Sequence, residues 1–160
     1  MKFALKLALV GCLFSQAAFA EKSIVISESA SYYDEKIIPP NIRQECVELG
    51  TQFSDSTQKF LTAKGWQAEQ AADLPESGLS LELTIVNAMS SGNAWSGHKK
   101  SVSMEAKLMK NGEVIDTFER QRDSNGGFGA GFKGSCAVLQ RCVNALGKDV
   151  AKWMSKKKDI

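Results

Sequence analysis

The residues of this chain that are best able to do chemistry are its cysteines and its single histidine. Cys46, Cys136 and Cys142 lie in the body of the chain, a fourth cysteine lies near its start, and His98 is the only imidazole. A thiol can form a disulfide, bind a metal ion or act as a nucleophile, and the last of these usually needs a nearby base. One histidine and three cysteines make no recognised metal-ligand spacing, so we expect no metal and no other cofactor.

Two of the three cysteines are expected to form a disulfide if the protein reaches an oxidising compartment. Cys136 and Cys142 are six residues apart, about 9 Å along a helix, whereas bonded cysteines have Cα atoms roughly 4.4–6.8 Å apart. Cys46 and Cys142 fall at nearly the same height on the buried sides of two predicted helices. We therefore predict a Cys46–Cys142 disulfide, with Cys46–Cys136 as the competing pair.

A thiol-dependent redox or hydrolytic protein is the alternative interpretation of the same residues. Cys136 begins a predicted helix, and the partial positive charge of a helix N-terminus lowers the pKa of a thiol. His98 would then act as the base. Nothing in the sequence places His98 near Cys136, which favours a structural role for the cysteines.

Two segments have the composition of contact surfaces. Residues 95–100 combine a tryptophan with basic neighbours, and residues 126–134 form a glycine-rich connection that lacks the contiguous Gly-Lys-Ser of a phosphate-binding loop. A secreted inhibitor that presents the glycine-rich segment is one candidate. We predict that both segments contact a partner, an envelope protein or a glycan, through Trp95, His98, Lys99, Lys100, Phe128, Phe132 and Lys133.

The first twenty residues predict export. Lys2 and Lys6 precede an apolar run, and Ala18 and Ala20 supply the small residues of a signal-peptidase site. The run is shorter than the roughly 20 residues that span a bilayer. We predict a signal peptide over residues 1–20, a single domain over residues 21–160, and a periplasmic or secreted protein with no transmembrane segment. Lipidation at Cys12, which ends a Leu-Val-Gly-Cys sequence, is the less favoured alternative.

Export also changes the charge of the protein. The full chain has 20 basic and 18 acidic residues, and the predicted leader contains two of the lysines and no acid. The mature chain is therefore neutral, which gives no reason to expect nucleic-acid binding. A hydrophobic content of 43% with 24% charged residues is typical of a globular domain and excludes a disordered chain.

The elements that position these residues follow from periodicity. Residues 23–27 predict a strand, and residues 66–68 a second, brief one. Apolar residues from Ile42 to Ala63, at alternating steps of four and three, predict one long helix with Asn41 as its N-cap. A final amphipathic helix is predicted with Ser135 as its N-cap.

Three more strands are predicted where apolar and polar residues alternate, over residues 79–86, 101–108 and 113–119. Asn-Gly at residues 111–112 suits a type I′ turn, so the last two strands form a hairpin in which Leu108 lies opposite Ile115 and Lys107 opposite Asp116. The predicted fold is α+β. It has a mainly antiparallel sheet of four or five strands in the order β-α-(β)-β-β-β-α, with two helices on one face.

This order of elements and the turn at residues 122–127, Arg-Asp-Ser-Asn-Gly-Gly, resemble a family of uncharacterised bacterial envelope proteins. Their domain is similar to the α/β domain of the curli-secretion channel and to the amino-terminal domain of the Tol translocation protein. The resemblance implies a fold and a compartment but no catalytic residue. The sequence thus predicts a non-enzymatic secreted or periplasmic envelope protein that acts as a binding or assembly module.

Overall fold

The structure, a computed structural model, describes residues 22–93, 97–124 and 134–157. Its elements form one six-stranded sheet and three helices. The strands are β1 (Lys22–Ser27), β2 (Ser31–Tyr32), β3 (Trp66–Ala71), β4 (Leu79–Asn93), β5 (Gly97–Lys110) and β6 (Glu113–Ser124). The helices are α1 (Pro40–Glu45), α2 (Leu49–Thr62) and α3 (Ser135–Met154).

The predicted α+β class is confirmed, but the sheet is mixed rather than mainly antiparallel. Its strand order is β3-β1-β4-β5-β6, and the short β2 also pairs with β4. β1 runs parallel to both β3 and β4, while β4, β5 and β6 form an antiparallel meander. The helical connection between β1 and β3 explains the parallel part, because parallel strands need a crossover long enough to return the chain.

The single long helix predicted from residue 41 is wrong, because the chain breaks into α1 and α2 at residues 46–48. Apolar spacing continues through the break, and Cys46, Leu49 and Phe53 are all buried. Pro39, not Asn41, occupies the N-cap of α1, and Gly134, not Ser135, occupies that of α3. Periodicity therefore identified the buried residues but not the interruption between them.

Helices α2 and α3 pack against one face of the sheet and enclose the core. The apolar residues that alternate along β4 and β5 face these helices, as predicted. The residues of this set that are fully buried are Leu81, Leu83, Ile85, Val102, Met104, Ala106 and Leu108. The other face of the sheet carries no helix among the described residues.

The hairpin between β5 and β6 is confirmed at its turn, where Asn111 has a φ of 54° and Gly112 a φ of 80°. The predicted register of this hairpin is wrong, because a bulge in β6 shifts the pairing by one residue. Leu108 lies opposite Asp116 rather than Ile115, and Ile115 is 46% exposed.

Contacts with α3 account for the shifted register. Phe118 stacks on Trp153 with ring centroids 5.3 Å apart, so it faces the helices instead of solvent. Asp116 pairs with Lys157 at the end of α3, and the hydrogen bond from Lys157 lowers the pKa of the Asp116 carboxyl. The predicted pairing of Lys107 with Asp116 is therefore wrong.

The two long helices are in close contact at Gly147. A Cβ at this position would lie 2.5 Å from Ser56 Oγ and 2.7 Å from the backbone nitrogen of Thr57. The Ser56 hydroxyl also donates a hydrogen bond to the Asn144 carbonyl at 3.0 Å. Helix α2 thus lies against α3 at a distance that only glycine permits.

We expect Gly147→Ala to lower the free energy of unfolding by about 1–3 kcal/mol, because the added methyl group overpacks the contact. Helix propensity alone predicts the opposite sign, a gain of roughly 1 kcal/mol. Urea denaturation measures the change, with Lys148→Ala as a control at the exposed neighbouring position. A Gly147→Ala variant as stable as the parent would contradict this packing.

Candidate functional site

The cysteines form a structural cross-link, but not the preferred pair. Cys46 is bonded to Cys136, with Cα atoms 5.4 Å apart, and Cys142 is free. The predicted Cys46–Cys142 disulfide is therefore wrong, and the competing pair is present. Because the chain breaks after Cys46, this residue does not continue the line of α2, and it reaches the first turn of α3.

The free thiol of Cys142 is only 3% exposed. Burial raises its pKa, and the charge of Asp123 raises it further, while Arg122 acts in the opposite direction. A thiol that stays protonated is a poor nucleophile. With Cys136 held in the disulfide and Cys142 buried, none of the three described cysteines presents a free, exposed thiol.

The predicted contact segments leave the sheet at one end. Asn93 pairs with Gly97 across the β4–β5 hairpin, and β6 ends at Ser124 opposite Lys100. Residues 94–96 and 125–133 therefore both connect to the same end of the sheet. This placement is compatible with a shared surface, although Trp95, Phe128, Phe132 and Lys133 lie outside the described residues.

One member of the predicted surface is buried. Lys100 is 5% exposed, and its Nζ donates a hydrogen bond to Ser90 Oγ at 2.9 Å, so its assignment to an exposed surface is wrong. Strand alternation already indicated this, because Lys100 has the same parity as the buried Val102. Lys99 is exposed, and of His98 only the backbone, paired with Gly92, is described.

The sheet face opposite the helices is strongly acidic. Glu105 of β5 lies directly opposite Glu119 of β6. Lys107 approaches Glu105 at 3.3 Å and Glu82 at 3.7 Å, and the hydrogen bond with Glu105 raises the pKa of the lysine. Five acidic residues point outward from this face. Its basic residues are Lys107 and, near the tip of the β4–β5 hairpin, Lys99. The acids are Glu69, Glu82, Glu105, Glu119 and Asp123.

This acidic face contains a groove of about 730 Å³. Glu105, Glu119 and Val86 line it, and Val86 lies where the pairing of β4 with β5 is irregular. Tyr33 forms one wall and is 74% exposed, and its backbone nitrogen donates to the Ile85 carbonyl at 3.0 Å. Ser103, Met104, Arg120 and Gln121 complete the lining. The groove therefore combines an aromatic ring with two adjacent carboxylates.

Sequence reasoning did not find this groove. The outward alternation of Glu105 and Glu119 was one available signal, but their pairing depends on the shifted register of β6. Within the described ranges, no group of three or more His, Cys, Asp or Glu could hold a metal ion. Nor is any helix of the described residues long and apolar enough to cross a membrane. The arrangement can offer charge and an aromatic contact to a ligand.

Solved structures share this fold at low sequence identity. A DUF330-family protein from Xanthomonas campestris superposes with a TM-score of 0.56 and 11% identity over 87% of each chain. PelC from Paraburkholderia phytofirmans, a dodecamer, superposes with a TM-score of 0.53 and 12% identity over 79% of this chain and 86% of its own. A minor lipoprotein from Acinetobacter baumannii superposes with a TM-score of 0.49 and 11% identity over 86% of this chain and 95% of its own. This likeness is too slight to support an argument.

No protein-family model matches the chain, and no curated protein is similar enough in sequence to count as a relative. The structural likenesses show the fold alone. They agree with a resemblance to bacterial proteins without an assigned activity. They do not confirm the resemblance to the curli-secretion and Tol domains, which stays a prediction.

We expect the chain, with its leader removed, to contain one thiol that reacts slowly in the folded state. Burial and the raised pKa of Cys142 both protect it from a thiol reagent such as DTNB. In non-reducing denaturant one thiol per chain should react at once, and a Cys142→Ser control should show none. Rapid labelling of the folded protein, or three thiols in denaturant, would contradict the assignment.

Proposed function

We propose that this protein is a non-enzymatic binding module of the bacterial envelope, and that the acidic groove is its binding site. The observation that carries the proposal is the direct juxtaposition of Glu105 and Glu119 beside an exposed tyrosine. Like charges directly opposite each other on a sheet are destabilising. A positively charged ligand between them would turn this repulsion into attraction.

The ligand that best fits is a protein segment rich in lysine or arginine. Among the described residues, Glu119 has no ion-pair partner, whereas Glu105 already contacts Lys107. Glu119 is therefore the carboxylate with the most to gain from an added cation. The exposed ring of Tyr33 can hold the same cation by a cation–π contact. A neutral glycan would use the ring but would leave the Glu119 carboxylate without an ion pair.

Self-assembly is a second candidate, favoured by one observation. PelC, which shares the fold, is a dodecamer. An acidic face on one copy could receive the basic residues of another, a head-to-tail contact of the kind that generates rings or filaments. Light scattering on the purified protein decides between a monomer that binds a separate partner and an oligomer.

We expect a heptalysine peptide to bind the protein at low ionic strength. The Glu105→Gln/Glu119→Gln double variant should bind this peptide about two- to thirtyfold more weakly. This range follows from two exposed ion pairs of roughly 0.2–1 kcal/mol each. Calorimetric titration measures it. Glu69→Gln, an exposed acid on the same face but outside the groove, is the matched control.

Three results would contradict the assignment. The double variant could bind as tightly as the parent, Glu69→Gln could weaken binding equally, or a heptaglutamate peptide could bind as well as heptalysine. The first two would remove the groove as the site, and the third would remove charge as the basis of recognition.

We also expect Glu119→Gln to raise the free energy of unfolding by about 0.2–1 kcal/mol, since it removes the like-charge pair with Glu105. We expect a residue of a binding site to weaken the fold while it strengthens binding. Urea denaturation of Glu119→Gln beside Glu69→Gln measures the difference. A loss of stability specific to Glu119→Gln would show that this carboxylate supports the fold instead.

A further inference from the structure

One end of the domain is as basic as the sheet face is acidic. The first described residue, Lys22, pairs with Trp66 in β3, and its Nζ donates a hydrogen bond to the Lys157 carbonyl at 3.2 Å. The start of β1 and the end of α3 are therefore adjacent. We call this the terminal end, and its lysines are Lys22, Lys64, Lys110, Lys152, Lys156 and Lys157.

Few acidic residues offset these lysines. Asp116 is paired with Lys157, and Glu113 lies opposite Lys110 in the hairpin. Glu76 is near the turn, where its carbonyl lies 3.7 Å from the position of a Cβ on Gly112. Four exposed lysines of the terminal end have no ion pair with any described residue, and they are Lys64, Lys110, Lys152 and Lys156.

Exposed apolar side chains lie beside this charge. Val114, opposite Met109, is 54% exposed, and Ile115, which the bulge in β6 leaves without a cross-strand partner, is 46% exposed. They precede Asp116, which contacts Lys157, so they belong to the terminal end. Trp153 is partly exposed there, with Lys157 Nζ 5.3 Å from its ring centroid. Apolar and aromatic side chains surrounded by lysines are typical of protein surfaces that lie on anionic membranes.

We propose that the terminal end docks on a bilayer that contains anionic phospholipid. The lysines would contact the phosphate headgroups, and Val114 and Ile115 would reach the interfacial region. Any segment that precedes Lys22 joins the domain at this end. If the chain is lipidated at Cys12, nine residues separate the anchor from Lys22, so the anchor and the basic surface would meet the same bilayer.

This orientation fits the rest of the molecule. β4 has 15 residues, which extend over roughly 50 Å and run away from the terminal end. The strand ends at Asn93, Gly97 and Ser124 would then lie far from the lipid. The proposal does not rest on the acidic groove, which lies on the sheet face rather than at its end.

The test is flotation of the purified chain, with its leader removed, on vesicles of phosphatidylcholine alone or with 30% phosphatidylglycerol. We expect binding only to the second kind, lost at high salt. Lys64→Gln/Lys156→Gln should lower the vesicle partition coefficient by about tenfold or more, since each lysine near an anionic surface adds to the free energy of membrane binding. The matched control is Lys36→Gln/Arg141→Gln, which removes two exposed charges outside the terminal end.

Ile115→Ser separates lipid docking from simple charge attraction. We expect it to weaken vesicle binding further at a fixed lysine content, because the apolar contribution is lost. The proposal is overturned if binding ignores phosphatidylglycerol, if both charge pairs weaken it equally, or if polyglutamate binds while vesicles do not. Self-association through Lys64 and Lys156, detected by light scattering, would also overturn it. Glu105→Gln/Glu119→Gln should float like the parent, which keeps this outcome separate from that of the groove.

Discussion

The packing of α3 against β6 decides which residues of that strand face the core and which face outward. Trp153 stacks on Phe118, and Asp149 receives two hydrogen bonds of 2.6 Å from Arg122. A stacked aromatic pair adds about 0.5–1.5 kcal/mol beyond the area that it buries. These contacts hold β6 one residue away from the simplest hairpin register. A one-residue shift reverses the face of every later side chain in a strand.

The acidic groove follows from that shift, and so does the exposure of Ile115 at the terminal end. In the simple register Glu105 would lie opposite Phe118, and the uncovered face would carry an aromatic side chain between polar ones. In the observed register Glu105 lies opposite Glu119, and Ile115 is turned outward near the lysines. A chain that is neutral after loss of its predicted leader thus carries an acidic face and a basic end. Net charge concealed this separation, since the two surfaces cancel.

The features set by local chemistry were the ones the sequence could predict. Alternation identified the buried face of β4 and β5, and Asn111-Gly112 identified the turn. Two predictions failed, and one site was missed, where the structure depends on the path of the chain and on contacts between distant residues. The break after Cys46 changed the disulfide partner, the contacts of α3 shifted β6, and the groove needs Tyr33 from a segment with no periodic signal. Lys100 is different, because its parity on the strand already indicated burial.

The register of β6 is the claim on which the account depends, and nuclear Overhauser effects between the backbones of β5 and β6 measure it most directly. The account predicts a cross-strand effect between Glu105 and Glu119, with Ala106 facing Phe118. An effect between Glu105 and Phe118 instead would show the unshifted hairpin. That result would place Glu119 on the covered face and remove the acidic groove.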